Sequence, residues 1–205
     1  MQELKAVKPT ESTDGTDPVS RLMQRLADEG FKSDNSEGDW ENFGEVIFRR
    51  EEKISFAAGE TIFIFTRVPE LNERILHQTS EAVVNSYKAR STSQKALSVL
   101  QSTTVYHVLA AQGDQPHNDP LSQYITRAGG ATFIPVVMVP EINQVLYPDL
   151  EEKVGSLKPR VQYLQYLLGE RREPVDMHKQ TVQAFYVSVA VVAVLVILLL
   201  FSFVH

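Results

Sequence analysis

The side chains best suited to acid–base or metal chemistry are the five histidines, three of which stand in settings worth weighing. His77 and Glu81 are four apart in a helical pattern, so they share a helix face and make half of a metal site. No second ligand pair at helical spacing joins them, and a solvated pair is the simpler meaning. His117 and Asp119, in Pro-His-Asn-Asp-Pro, form a His-x-Asp pair in a loop, where catalytic groups are often placed. Asn and Asp beside proline are also ordinary turn chemistry. His107 alternates with Tyr106 and Val108 in a strand pattern and reads as a core or surface residue. Gly129-Gly130 is a lone pair and reads as a turn. No nucleophile elbow, phosphate-cradling loop or dinucleotide fingerprint occurs. With no cysteine, there is no disulfide framework, thiolate zinc site, thiol nucleophile or palmitoylation site. No metal and no cofactor are expected, and the sequence leans away from an enzyme.

The elements that must position these residues begin after a polar, aperiodic stretch over 1–17. Asp17 as a cap, Pro18 in the first turn and Gly30 as a stop predict a short helix over about 18–29. Val19, Leu22, Met23 and Leu26 fall at i, i+3, i+4 and i+7 and make one apolar stripe. The stripe suits docking into a partner's groove, or packing on the chain's own domain. An acidic linker follows, and Trp40 marks the start of the folded domain. Strand patterns run from 45 to 68, with Arg49-Arg50 and Glu51-Glu52 read as a solvated hairpin turn and Gly59 in a second turn. Thr-Ile-Phe-Ile-Phe is apolar on both faces, which predicts a central strand covered on both sides.

Pro69 is read as opening a helix. Ser91 and Gln94, at capping-box spacing, suggest a second helix to about Leu100. The runs around Val105 and Val136 read as further strands, and a helical pattern is expected from Glu141 past Leu146. A last amphipathic helix covers about 156–168, with Gly169 as its stop. Tyr163, Tyr166 and Leu167 give it a second apolar face, suited to packing under the chain's own sheet, to a partner or to the membrane interface. Pro159, Gly169 and Pro174 interrupt any sustained heptad there.

Residues 184–204 carry no charge, and 21 residues at 1.5 Å each span about 30 Å, the thickness of a bilayer's hydrocarbon core. Phe185 and Tyr186 sit where aromatic side chains favour the interface. Arg171, Arg172 and Lys179 precede this run, and only His205 follows it, which orients the N-terminal body toward the cytoplasm. The first 17 residues hold no apolar core segment, so no signal peptide is expected. The net charge of −6 argues against nucleic acid as a partner.

These observations predict an α+β protein: a small mixed sheet packed by several helices, plus one C-terminal transmembrane helix. The expected organisation is a disordered N-terminus over 1–39 with a short amphipathic helix over about 18–29, a cytosolic α+β domain over 40–168, a juxtamembrane linker over 169–183 and the span over 184–204. The function expected is a single-pass, tail-anchored interaction or scaffold module whose partners are the bilayer and a protein complex. A membrane-tethered hydrolase or transferase, or an accessory subunit of a larger membrane complex, are the alternatives.

Overall fold

The structure is a computed structural model that describes residues 17–33, 46–54, 57–94, 101–112, 121–148 and 157–172, together with 190 and 194. Trp40, His117, Asp119, Lys179 and the rest of 184–204 lie outside the described residues. Among the described residues the chain has a mixed α+β fold, with a seven-stranded mixed sheet and α-helices. Its strands are β1 (Lys32–Ser33), β2 (Val46–Ile54), β3 (Ala57–Val68), β4 (Gln101–Ala111), β5 (Thr126–Ala128), β6 (Ala131–Val139) and β7 (Gln144–Leu146). The helices are α1 (Pro18–Asp28), α2 (Glu73–Gln94) and α3 (Lys158–Leu167).

The strand order is β1-β2-β3-β4-β6-β5, with β7 beside β5 on the same flank of β6. β3, β4 and β6 run parallel at the centre, and every outer pairing is antiparallel. Both parallel steps go the same way across the sheet, so right-handed connections place both on one face. On that face Leu76 of α2 shares a cluster with Leu121, Tyr124, Leu109 and Val137, and Val83 and Val84 cover Ile62, Ile64 and Val105. α1 and α3 cover the other face, over Phe63, Phe65, Tyr106, Val108, Ile134 and Met138. The sheet is therefore the middle of three layers, and every residue of β6 is buried. This explains why β3 and β6 are apolar at both parities.

Pro135 stands in the middle of β6, where proline would ordinarily remove a ladder bond. The Thr103 amide donates to the Gly130 carbonyl at 3.5 Å. In a parallel ladder, that phase aims the even-numbered amides of β6 at β4 and the odd-numbered positions at the far flank. β5 pairs with residues 131–133 and β7 with 137–139, so residue 135 falls between them and no described strand needs its donor.

Five expectations are corrected. Arg49-Arg50-Glu51-Glu52 is not a turn: β2 runs through it in register with β3. The charges are tolerated because each arginine finds an acceptor, Arg49 on the Glu60 carboxylate at 3.0 Å and Arg50 on the Glu29 carbonyl at 3.1 Å. Gly59 likewise lies inside β3. The helix after Pro69 starts later, at Glu73, because the Asn72 side chain accepts from the Ile75 amide at 2.9 Å. It then continues through Ser91 to Gln94, with no break for a second cap. Past Glu141 the chain makes one 3-10 turn and then β7, because edge pairing with β6 outweighs the short helical pattern.

α1 matches its predicted ends. Asp17 Oδ1 accepts from the amides of Val19 and Ser20 at 2.9 and 3.0 Å. Burial pushes the Asp17 carboxyl up, but these bonds, with the Ser20 hydroxyl and Arg67, outweigh it and hold the group below its usual range. At the other end Gly30 donates to Ala27 and Phe31 to Leu26, the paired reverse bonds of a Schellman stop. α3 ends in the same way, through Gly169 and Glu170. Gly30 has φ +79 with nothing within 4 Å of where a Cβ would stand. Gly30→Ala is therefore expected to destabilise the domain by about 1–2 kcal/mol, from the left-handed backbone alone. Thermal unfolding of the variant checks this, and an Asn replacement should recover part of the loss.

Candidate interaction face

The residues singled out for partner binding come together on the α1–α3 side of the sheet. Val19, Leu22 and Leu26 are buried there in one cluster with Tyr163, Leu164 and Leu167, while Met23 and Tyr166 pack at its margin. The domain boundary expected near 40 does not separate α1 from this core. A partner reaches Val19, Leu22 and Leu26 only if α1 leaves its place.

A polar clasp holds α1 down, and its hub is Glu29, the residue that closes the helix. Tyr166 on α3 donates its hydroxyl to Glu29 Oε1 at 2.7 Å, and Arg25 lies 3.4 Å from the same oxygen. Arg50 on β2 donates to the Glu29 carbonyl, with its guanidinium 4.0 Å from Oε2. That guanidinium also sits over the rings of Phe31, at 4.6 Å, and Tyr163, at 5.4 Å. Arg25 lies over Tyr166 at 4.9 Å. Donating to a carboxylate raises the Tyr166 phenol above its usual pKa. At the far end of α1, Arg21 donates to Asn143 Oδ1 at 2.6 Å, and Asn143 holds a left-handed backbone with φ 49.

α3 is tied to the sheet beneath. The Tyr106 hydroxyl donates to the Arg160 carbonyl at 2.7 Å, and Arg160 Nε donates to Thr104 Oγ1 at 2.8 Å. Tyr106 is fully buried and stacks on Phe63, ring centroids 4.4 Å apart, while Phe31 meets Phe63 edge-on. Burial raises the Tyr106 phenol far above its usual value, so it serves as a neutral donor. Arg25, Glu29 and Arg50, with the Tyr166 hydroxyl as a neutral donor, fix the geometry of this face.

The other candidates lie apart. His77 and Glu81 face each other at 3.4 Å on the open side of α2, both well exposed. Among the described residues, no group of three or more metal-ligating side chains converges. His107 is buried on the α2 face, with Nε2 3.1 Å from Thr66 Oγ1 and no partner among the described residues for Nδ1. Glu60 is pushed above the usual carboxylate range by burial, against the pull of Arg49. Arg171 is half-buried and Arg172 exposed just beyond α3. The pattern of the sequence pointed to the apolar residues of this face but not to Glu29, Arg50 or Arg160. Their partners lie 21 to 137 residues away, and no local spacing signals them.

The chain matches no family model, and neither the curated proteins nor the solved structures contain a significant match to it.

Proposed function

We propose that the chain is a membrane-anchored protein whose α+β domain is a non-enzymatic interaction module on the cytosolic side, recruiting or scaffolding a partner complex. The observation that carries this is where apolar surface is left over. Among the described residues the domain keeps its large hydrophobic side chains in, and Val194, 55% exposed, is the one exposed large hydrophobic. Val194 and Ala190 are both helical, and they belong to the uncharged run 184–204. Hydrocarbon is the surrounding that suits such a run. Among the described residues no helix is long and apolar enough to cross a membrane, and the remainder of 184–204 lies outside them. Arg171, Arg172 and Lys179 supply the orientation. The clasped α1–α3 layer offers a rigid surface on the side from which the chain runs toward the anchor.

Protease protection on sealed vesicles, cytosolic face outward and with a tag on residue 1, tests the topology. The tag is expected to be lost, leaving a membrane-protected fragment of about 3 kDa, the mass of one span with short flanks. Protection of the whole body, or release of the chain by alkaline carbonate, overturns the reading. The mass of the detergent-solubilised species tests the interaction half: a complex with a second protein at fixed ratio supports it, and a monomer overturns it.

A further inference from the structure

One row toward the starts of β4 and β6, the sheet face under α3 changes character. Pairing aligns Arg50, Thr61, Thr104, Thr132 and Arg127 across five strands. At about 4.8 Å per strand the row is about 19 Å long. Directly paired residues share a face, and in the neighbouring row those residues are Phe48, Phe63, Tyr106 and Ile134, all of them core. Three buried threonines therefore stand where the pattern calls for aliphatic or aromatic side chains. Buried hydroxyls are costly unless they are hydrogen-bonded. Thr61 is 1% exposed, and its Oγ1 has no hydrogen-bond partner among the described residues.

The row's far end is basic. Arg160 reaches down from the third position of α3 onto Thr104, which accepts and so keeps its own hydroxyl proton to donate. Arg127 closes the row from β5, two strands from Thr104, and is exposed. Burial lowers the Arg160 guanidinium, and the like charge of Arg127 acts on it in the same direction. α3 opens here with no side-chain cap on Leu157, so the positive end of its dipole adds to the two guanidiniums.

We propose that Arg127, Arg160, Thr104 and Thr132, with the opening turn of α3, bind a phosphate-class oxyanion. Two planar guanidiniums match the oxygens of a phosphate group, and a helix start favours negative charge. Donors come from the sheet, its strand β5 included, and from α3 packed over it. Binding also relieves the repulsion between Arg127 and Arg160. The site is distinct from the Glu29 clasp and does not depend on the interaction reading.

The test is thermal unfolding of the full chain in detergent, with inorganic phosphate against chloride at matched ionic strength. Phosphate is expected to raise the midpoint. Arg127→Gln and Thr104→Val should each weaken phosphate binding about tenfold or more, the usual loss for one hydrogen bond to a charged group. Because Arg127 is exposed, Arg127→Gln should still fold, so its response to phosphate can be read against its own phosphate-free midpoint even if Thr104→Val fails to fold. Inositol trisphosphate is the second probe: tighter binding than phosphate assigns a lipid headgroup, and equal binding assigns a free phosphate. No phosphate-specific rise in the wild type, or a rise that Arg127→Gln keeps in full, overturns the proposal.

Discussion

Leu26→Ala should destabilise the domain by about 2–5 kcal/mol, the range for deleting a leucine side chain from a packed interior. Leu26 is 0% exposed and shares its cluster with Phe31, Tyr163, Leu164 and Leu167, so the surroundings have little room to collapse into the gap. Met23, at the margin of the same cluster, should lose only about 1 kcal/mol on the same truncation. Chemical denaturation followed by circular dichroism reads both. The contrast between them is the informative quantity. A helix that spent its time in a partner's groove would leave the domain's midpoint unchanged in both variants, and partner binding alone would suffer. A loss confined to Leu26→Ala places the stripe in the domain's own core. α1 is then part of the folded unit, and its exposed side, with Ser20, Gln24 and Asp28, is what it offers to others.

A steep loss of stability between pH 6.5 and 4 is the second large effect. Burial holds the His107 imidazole down at about 4, against 6.5 for an unperturbed histidine. The unfolded chain therefore takes up a proton near pH 6.5 that the folded chain refuses until about pH 4. Between those values the unfolded state binds more protons, so stability falls as the pH falls. At about 1.4 kcal/mol per unit the whole window amounts to about 3 kcal/mol, most of it already lost by pH 5. Glu60 works in the opposite sense. Its raised carboxyl holds a proton in the folded state above 4.5, which favours folding at lower pH. His107→Gln removes the titration and keeps a group able to bond the Thr66 hydroxyl. Urea midpoints measured from pH 7 to 5 should fall in the wild type and stay nearly level in the variant. Parallel slopes in the two proteins would show that His107 is already charged in the fold.

Much of the fold was legible wherever a signal is complete within about ten residues. Asp17, Pro18, Gly30 and Phe31 mark both ends of α1. The double-faced apolar run of β3 predicted a central strand, which it is. Readings failed where a distant partner decides. Arg49 and Arg50 look like turn residues until Glu60 and Glu29 are seen to receive them, and Gln144–Leu146 is a strand only because β6 offers a free flank. The candidate face was half visible. Its apolar residues follow helical spacing, but Glu29 binds Tyr166 across 137 residues. The threonine row is a property of register, and register between β3, β4 and β6 is written in no single segment.

The placement of α1 also matters for how the protein is made. Its covering helix, α3, ends about 140 residues later in the chain. At about 5–20 residues per second, Leu22 and Leu26 leave the ribosome roughly 7–28 s before the end of α3 does. Through that interval an amphipathic helix with a strong cap and a complete stop has only the emerging strands, and not α3, to lie against. The stripe is thus less covered during synthesis than in the finished fold, where Leu22 and Leu26 are buried.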